Sequence, residues 1–362
     1  PAILEKPSID LPRNEKLMDA LQKHYSTGPC LDFFYKMADL LPITFRIRKT
    51  VSRKQRVELK ATIDKLQVKE VFESVFQASI PKTGLKDSHP ELHEFLLENS
   101  QNGSIARQEL VSMIPVWAVH ALRPDSTSRI LDLCAAPGSK TLQAAELYVS
   151  VRANDVNPNR LQALQDAVER SGMHVSLKYS NYDASQYPIP QLQHRMWDIV
   201  LCDVPCSGDG TIRKDPQVLQ HWKPSTSHSL HCLQVKILQR ALRLSTDIVC
   251  YSTCSLNPIE NEAVVAAVLE SNSSFELFSI PNLSDLKYHP GVNHWKVADY
   301  DTQDDTAKLS WYPKFDESVK HAVPTLWSSS ATKRLHLEYC ARFWPTDHDS
   351  GGFFVALLRR KK

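Results

Sequence analysis

An alternation of apolar runs and amphipathic segments between Arg129 and Tyr251 constrains the fold more than any other feature of the sequence. Short apolar runs are typical of buried strands, and helical spacing of apolar residues follows the first two runs. The predicted strands are 129–133, 151–155, 175–179, 197–203 and 247–251, and helices are predicted at 139–148 and 157–170. Because crossover helices join parallel strands, this order predicts an α/β fold with a doubly wound, Rossmann-like sheet.

The residues before this alternation follow a different pattern. Residues 43–47 alternate in polarity as a strand does, and residues 61–76 have apolar side chains at helical spacing. Ser104 follows a polar break and is a candidate N-cap for a helix that continues to Val119. We therefore predict a smaller N-terminal α+β domain at residues 1–103 and a larger α/β domain at residues 104–362.

The composition excludes two classes of protein. Eight cysteines in 362 residues do not indicate the disulfide scaffold of a small secreted domain. No apolar run reaches the roughly 18 residues that a membrane-spanning helix needs, so we expect no membrane partner. Hydrophobic residues make up 42% and charged residues 23%, which is typical of a globular chain with a substantial core.

The distribution of charge is more informative than its total. With 43 basic and 41 acidic residues, the formal net charge of +2 does not indicate a nucleic-acid partner. Between Arg46 and Lys60, however, seven basic residues stand against a single acid, Glu58. Such a cluster either contacts phosphates or is an ordinary solvated face, and the sequence alone favours neither interpretation.

The loop after the first predicted strand is a candidate ligand site. It consists of small residues followed by the start of a helix: Cys134, Ala135, Ala136, Pro137, Gly138, Ser139 and Lys140. Small side chains allow a ligand to approach the backbone, and the free amides at a helix N-terminus can bind a carboxylate or a similar group. With a single glycine, the loop matches neither a P-loop nor a G-x-G-x-x-G motif.

Three aspartates end or follow the next predicted strands: Asp155, Asp183 and Asp203. A carboxylate about twenty residues after such a turn commonly hydrogen-bonds the hydroxyl groups of a ribose. The alternative is that each aspartate only forms a turn or caps a helix. Because the turn and all three carboxylates fall at one edge of the sheet, the pattern favours a nucleoside cofactor site.

Two cysteines lie in polar loops just past strand ends, Cys206 after the fourth strand and Cys254 after the fifth. Each is the second member of a C-x3-C pair, a spacing that zinc sites also use. The first members, Cys202 and Cys250, fall inside apolar strands, where free cysteine is an ordinary small core residue. A cysteine inside a strand and one at its tip are poorly placed to share a tetrahedral metal, so we predict no metal site.

These motifs resemble the three main motifs of the RNA (cytosine-5)-methyltransferase family: Cys134 to Lys140, Asp203 to Gly208 and Tyr251 to Ser255. The longer segments Cys202 to Lys214 and Tyr251 to Val265 are most similar to its eukaryotic tRNA-modifying branch. The resemblance covers nearly the whole chain. It implies a methyltransferase sheet that depends on S-adenosyl-L-methionine, an N-terminal domain that binds RNA, and tRNA as the substrate. It further implies a monomer located in the nucleus, with the cytoplasm as the alternative.

The resemblance also implies a role for each site residue. Cys254 is the nucleophile that adds to carbon 6 of cytosine, and it needs a lowered pKa because a free thiol titrates near about 8.5. Asp203 hydrogen-bonds the amino group and ring nitrogen 3 of the base. Cys206 assists release of the product, as a base or through a water. Lys140 lines the site and supports binding of the cofactor or the base.

Two other functions compete at this point: a non-catalytic RNA-binding or scaffold protein with this fold, and a DNA (cytosine-5)-methyltransferase. A degenerate relative is expected to lose a cysteine or the lysine, whereas this chain has Lys140, Asp203, Cys206 and Cys254. In a DNA enzyme the nucleophile lies in a Pro-Cys loop, and a second cysteine in a Thr-Cys loop is not expected. Cys254 therefore favours RNA. One departure is Ser139, where many family members have a second glycine.

Overall fold

The computed structural model describes residues 19, 36–37, 39–171, 177–281, 286–299, 309–319 and 322–361. Within these ranges the chain forms a four-stranded N-terminal sheet, a nine-stranded central sheet and a two-stranded ribbon. In the same part of the chain, no helix is both long enough and apolar enough to cross a membrane.

The N-terminal sheet is formed by four strands: β1 (Pro42–Ile47), β2 (Lys69–Phe72), β3 (Val75–Pro81) and β4 (Ile105–Arg107). The strands are antiparallel and lie in the order β2-β3-β1-β4. Three helices belong to the same unit: Arg53–Lys65, Leu85–Ser88 and Pro90–Gln101. Phe45 and Phe76 stack in its core with ring centroids 5.6 Å apart, and Ile63 joins the same cluster from the first helix.

The helix predicted at residues 61–76 is wrong in its second half. The observed helix ends at Lys65, and the β2–β3 hairpin takes up the rest of the segment. Gln67 and Ser74, with φ angles of 57° and 59°, adopt left-handed conformations at the end of the helix and in the turn of the hairpin. Apolar residues at helical spacing also occur where a helix end is followed by short strands, so the pattern did not separate the two.

The helix predicted from Ser104 to Val119 is wrong at its start. Residues 105–107 form β4, whose Ile105 pairs with Ile47 of β1, and the helix spans Ile114–Leu122. The N-terminal sheet therefore extends beyond the boundary predicted at residue 103. A local pattern could not show this, because the partner strand lies more than fifty residues earlier in the chain.

The central sheet contains the strands of the predicted α/β unit and several that follow it. These are β5 (Arg129–Asp132), β6 (Ser150–Asn154), β7 (Leu177–Ser180), β8 (Trp197–Asp203), β9 (Ser245–Thr253), β10 (Phe275–Phe278), β11 (His289–Pro290), β14 (Ala341–Phe343) and β15 (Phe353–Arg360), while β12 (Val297–Asp299) and β13 (Ser310–Tyr312) form the ribbon. The order is β11-β14-β15-β9-β8-β5-β6-β7, with β10 paired to β15. Strands β5 to β9 are parallel to one another, and β15 is antiparallel to β9.

The doubly wound sheet predicted from the sequence is confirmed. The five predicted strands correspond to β5–β9, and their ends differ by at most two residues, although positions 175–176 lie outside the described residues. The first crossover helix is Ser139–Ala145, which ends three residues earlier than predicted, and the second is Pro158–Arg170. Further helices lie at Gln217–His221, Pro224–Leu244, Glu262–Ser271 and Pro345–His348.

Helices cover both faces of the central sheet. In β8, Ile199 packs in the cluster that includes the helix Ile114–Leu122, whereas Val200 packs in the cluster that includes the helix Pro224–Leu244. Strands buried on two faces are nearly continuous apolar runs, which is why the sequence marked them clearly. The covered faces leave the carboxyl ends of the strands as the accessible edge for a ligand.

Candidate active site

The carboxyl ends of β5, β6, β8 and β9 border a cleft of about 410 Å³. All candidate site residues except Gly138 line this cleft. We call residues 133–140 together with Asp155 and Asp183 the aspartate wall. The loops 203–211 and 252–257 form the cysteine wall. The structure thus brings together side chains from positions more than a hundred residues apart.

The turn of the aspartate wall requires glycine at one position only. Gly138 has a φ of 109° immediately before the helix Ser139–Ala145, and a Cβ added there would lie 2.8 Å from Cγ of Leu164. Ser139 is the first residue of the helix and lines the cleft. The missing second glycine at this position is therefore compatible with the backbone.

Asp155 and Asp183 both cap local backbone and face the cleft. Asp155 Oδ2 accepts a hydrogen bond from the amide of Ala136 at 3.2 Å, and Oδ1 accepts one from the amide of Asn157 at 3.0 Å. Asp183 Oδ1 accepts from the amide and the hydroxyl of Ser185, both at 2.8 Å. The turn-forming interpretation is correct for both residues, but it does not exclude a ligand, because both carboxylates line the cleft.

Asp132 lines the same cleft and was not predicted from the sequence. It is 1% exposed, and its Oδ2 accepts a hydrogen bond from Oγ1 of Thr141 at 2.7 Å. Burial, reinforced by the charge of Asp203, raises the pKa of Asp132 to about 7 although the Thr141 hydrogen bond opposes the shift. The available signal was its position, because Asp132 ends β5 as Asp203 ends β8.

Lys140 joins the two walls through an ion pair between its Nζ and Oδ2 of Asp203 at 2.8 Å. Nζ also donates to Oγ of Ser112 at 2.9 Å. Burial alone would lower the pKa of Lys140, but the attraction of Asp203 outweighs it and the pKa is raised. The second carboxylate oxygen of Asp203 accepts a hydrogen bond from Oγ of Ser252 at 2.7 Å. The site therefore holds a charged lysine beside an oriented carboxylate, and neither serine was predicted.

The two candidate cysteines meet in the cleft, where Sγ of Cys206 lies 3.2 Å from Sγ of Cys254. The hydrogen bond between the thiols and the burial of Cys206 raise the pKa of Cys206 well above that of a free thiol. Cys206 therefore keeps its proton at neutral pH. Either thiol can be the donor in this contact.

Cys202 and Cys250 are fully buried in β8 and β9, as expected for core residues. They pack in different clusters, so they face opposite sides of the sheet. This arrangement does not bring four sulfurs to one point. In the described part of the chain, no group of three or more His, Cys, Asp or Glu side chains is arranged to hold a metal ion.

Glycines hold the two cysteine loops against the C-terminal strand. The amide of Gly210 donates to the carbonyl of Cys254 at 2.9 Å, and the amide of Gly352 donates to the carbonyl of Gly210 at 2.8 Å. A Cβ on Gly210 would lie 2.3 Å from the carbonyl oxygen of Gly352 and 2.7 Å from that of Cys254. Close approach of three backbones therefore explains why the loop after Cys206 contains this glycine.

Glu260, which no sequence motif singled out, connects both cysteine loops. It is fully buried, and its Oε2 accepts from the amide of Ser207, the residue after Cys206, at 2.8 Å. Its Oε1 accepts from Oγ of Ser255, the residue after Cys254, at 3.2 Å. One carboxylate thereby fixes the relative position of the two loops. Glu260 lies in the segment that resembles the family, but its role needed the tertiary structure.

The basic cluster at residues 46–60 is largely bound within the protein. Arg46 and Arg48 are each 4% exposed, so neither the phosphate-contact nor the solvated-face interpretation describes their position. Both nitrogens at the end of Arg46 pair with the carboxylate of Glu146, at 2.5 and 2.8 Å. Two of the three lysines of the cluster also have acidic partners: Lys49 with Glu73 and Lys60 with Glu70, both at 2.8 Å.

A protein-family model described as 16S rRNA methyltransferase RsmB/F matches residues 119–359. The chain belongs to this family. The tRNA (cytosine(34)-C(5))-methyltransferase of Drosophila melanogaster is 36% identical over 79% of this chain and 41% of its own length. The multisite-specific tRNA:(cytosine-C(5))-methyltransferase of Saccharomyces cerevisiae is 34% identical over 79% of this chain and 43% of its own length. Ribosomal RNA small subunit methyltransferase F of Escherichia coli is 37% identical over 70% of this chain and 44% of its own length.

The chain thus spans less than half the length of these curated relatives. Two solved structures from Pyrococcus horikoshii confirm the fold. A methyltransferase homologue has a TM-score of 0.65 and 23% identity, with 95% of this chain and 94% of that chain aligned. NSun6 has a TM-score of 0.67 and 17% identity, with 96% of this chain and 98% of that chain aligned. The methyltransferase fold and the family resemblance predicted from the motifs are therefore confirmed.

Proposed function

We propose that the protein is an RNA methyltransferase that uses S-adenosyl-L-methionine to form 5-methylcytosine through a covalent adduct with Cys254. The observation that carries the proposal is the 3.2 Å contact between the thiols of Cys206 and Cys254, in the same cleft as the Lys140–Asp203 ion pair. Methylation of carbon 5 needs a nucleophile and a proton-transfer group at one ring, and the two thiols meet that need. Membership of an rRNA methyltransferase family supports RNA over DNA.

The proposed substrate is tRNA. The relatives named as tRNA methyltransferases align over 74–79% of this chain, against 70% for the enzyme named for ribosomal RNA. Equal amounts of unmodified tRNA and 16S rRNA transcripts, offered separately, test the choice. Preferential methylation of the rRNA would reverse it. The nuclear location and the monomeric state stay predictions from the resemblance.

The residues of the aspartate wall suit S-adenosyl-L-methionine, which when bound supplies a methyl group on an electrophilic sulfonium. Ala135 and Ala136 let a ligand approach the backbone of the turn closely. Asp155 stands at the position from which a carboxylate commonly bonds ribose hydroxyls. Val156 is 63% exposed at the cleft and offers an apolar face to a purine base. Asp132 also lines the cleft beside this wall, and its carboxyl adds an acceptor there.

Cys254 is proposed to add to carbon 6 of the target cytosine, which makes carbon 5 nucleophilic. In this proposal the thiol of Cys206, whose sulfur lies 3.2 Å from that of Cys254, donates the hydrogen bond and stabilises negative charge on the attacking sulfur. Asp203 hydrogen-bonds the exocyclic amino group, and ring nitrogen 3 once that nitrogen is protonated. The ammonium group of Lys140, 2.8 Å from Asp203, offsets the negative charge that addition places on the ring.

Release of the product needs loss of the proton on carbon 5 and cleavage of the bond between carbon 6 and Cys254. Cys206 is the residue proposed for this step, directly or through a water. Once the thiol of Cys206 has passed its own proton to a water in the cleft, its raised pKa makes the thiolate a strong base that takes the proton from carbon 5, and the electron pair left on carbon 5 expels the sulfur of Cys254. The target base must be unstacked to reach the cleft, at a cost of roughly a few kcal/mol.

Substitution of each cysteine is expected to block a different step of the reaction, and this difference tests the proposal. The Cys206→Ala variant should still form the adduct with the RNA and transfer the methyl group, but it should not release the methylated RNA. A denaturation-resistant protein–RNA band should therefore accumulate. Cys254→Ala should lose methylation and form no such band. The double variant controls for nonspecific crosslinking, because trapping should require Cys254.

A band in Cys254→Ala and none in Cys206→Ala would exchange the two roles. Intact methylation in both variants would remove covalent catalysis altogether. RNA binding by the wild-type protein without any methyl transfer would favour the scaffold alternative.

A further inference from the structure

A second cavity, of about 440 Å³, lies where the N-terminal sheet meets the helices of the central domain. Its lining comes from both units: Arg46, Arg48, Ser100, Ile105, Ala106, Arg107 and Gln108 from one, and Ser139, Leu142, Ala167, Arg170 and Ser171 from the other. Four of these residues are arginines and none is an aspartate or a glutamate. We call this cavity the arginine pocket.

The buried arginines of the pocket are not equally neutralised. Arg46 is held by the bidentate ion pair with Glu146. Nε of Arg48 lies 4.0 Å from the same carboxylate and donates a hydrogen bond to the carbonyl of Ile105 at 3.2 Å. Its Nη1 is buried without a hydrogen-bond partner among the described residues, as is Oγ of Ser100. Two buried arginines therefore share a single carboxylate, and hydrogen-bond donors remain beside the cavity.

The other two arginines are exposed and come from different units of the fold. Arg107 ends β4 of the N-terminal sheet, and Arg170 ends the crossover helix Pro158–Arg170. Two exposed guanidinium groups that line one cavity repel each other, so the arrangement favours an anion between them. Guanidinium groups match the geometry of a phosphate particularly well, because they donate two parallel hydrogen bonds.

The arginine pocket is linked to the catalytic cleft by shared residues. Ser139 lines both of them. Arg107 also lines a third cavity, of about 350 Å³, which shares Glu109 and Lys214 with the catalytic cleft. A strand of RNA whose target base occupies the cleft can therefore follow a surface with exposed basic residues to the pocket.

We propose that the arginine pocket binds a backbone phosphate of the RNA substrate, on the nucleotides that flank the target cytosine. The inference rests on the proposed function, because it takes the substrate to be RNA. It assigns the phosphate contact to Arg48, Arg107 and Arg170, which lie at positions distant in sequence. Of these three, Arg48 belongs to the basic run at residues 46–60, whereas Arg107 and Arg170 lie outside it.

The test compares two double variants that remove equal charge. Arg107→Gln with Arg170→Gln removes the exposed arginines of the pocket. Arg53→Gln with Lys54→Gln removes two exposed charges from the helix Arg53–Lys65, outside the pocket. Binding of a fluorescein-labelled single-stranded RNA of 20 nucleotides that contains cytosine is measured by anisotropy across a salt series, together with the KM and kcat for methylation.

The pocket variant should bind at least about tenfold more weakly, and its slope of log affinity against log salt should fall by about 0.7 for each phosphate that the protein no longer neutralises. KM should rise with little change in kcat, because both arginines lie outside the reacting groups. The control variant should stay within about threefold of the wild type.

Equal weakening in the two double variants, or an unchanged slope in the pocket variant, would overturn the proposal. The outcomes also separate it from the proposed function. Normal methylation with an unchanged slope refutes only the pocket. Binding that depends on the pocket without any methyl transfer by the wild type refutes only the catalytic proposal.

Discussion

The two walls of the catalytic cleft are held in place by different means. Each carboxylate of the aspartate wall accepts a hydrogen bond from the residue two positions on, Asp155 from Asn157 and Asp183 from Ser185, and Asp155 also accepts one from the amide of Ala136. The cysteine wall instead depends on contacts between distant segments, such as Gly210 with Gly352 and the buried carboxylate of Glu260. Because most of its hydrogen bonds are local, the aspartate wall is expected to tolerate substitutions. The position of each thiol in the cysteine wall, by contrast, depends on long-range packing along the whole sheet edge.

The largest effect is expected for Gly210→Ala, which attacks the packing of the cysteine wall. The new Cβ would meet backbone oxygens at 2.3 and 2.7 Å, and backbone cannot move aside as a flexible side chain can. We expect a loss of about 3 kcal/mol in the free energy of unfolding. Methylation should fall at least about 100-fold, because thiols that have moved apart no longer reach the same cytosine ring. Urea denaturation and methyl-transfer rates measure the two effects.

Gly84→Ala is the matched control for that substitution. Gly84 has a φ of 74° and nothing within 4 Å of an added Cβ, so only backbone strain of about 1 kcal/mol is expected. Similar losses in the two variants would show that the close approach at Gly210 does not matter.

An intermediate effect is expected from the titration of Asp209 in the cysteine wall. Burial, followed by the charge of Glu260, raises the pKa of Asp209 to about 7 from an ordinary value of 3.8. The folded protein therefore holds a proton that the unfolded chain releases, and stability falls as the pH rises from about 4 to 7. Asp209→Asn removes this titration, so its free energy of unfolding should decline less over the same range.

Urea denaturation at several pH values checks this slope. Asp183→Asn serves as the control, because Asp183 is exposed and should leave the slope as in the wild type. Parallel curves for the wild type and Asp209→Asn would mean that the carboxyl of Asp209 is not protonated in the folded state.

The smallest effects are expected in the aspartate wall. Asp155→Ala removes the proposed ribose contact and the hydrogen bond to the amide of Ala136, so the affinity for S-adenosyl-L-methionine should fall about tenfold. Asp183→Ala acts at an exposed position and should cost only about threefold. Isothermal titration calorimetry on folded protein measures both. Unchanged affinity in both variants would refute the cofactor assignment, and a larger loss at Asp183 would reverse the ranking.

The sequence predicted the α/β half of the molecule better than the N-terminal half. Strands β5, β8 and β9 are largely buried on both faces, so each appears as an apolar run bounded by polar residues. The N-terminal sheet uses short antiparallel strands from distant parts of the chain. Its β2–β3 hairpin was taken for a helix, and β4 for the start of one, because their pairing partners cannot be seen in a local pattern.

The same distinction applies to charge. Seven basic residues between Arg46 and Lys60 looked like one exposed surface, yet the structure divides them. Arg46 is buried against Glu146, a residue one hundred positions away, while Arg53 remains exposed. The spacing of charges along a chain does not specify burial, since burial depends on which distant segment packs on top.

The sequence by itself determined that polar residues follow the ends of parallel strands, and this was enough to collect Lys140, Asp203, Cys206 and Cys254 at one edge. The physical reason is that parallel strands in a single sheet all present their carboxyl ends on the same side. Only the tertiary structure decided that two sulfurs lie 3.2 Å apart and that Glu260 joins their loops. Such distances are set by close packing between segments that are far apart in the chain, and no local pattern encodes them.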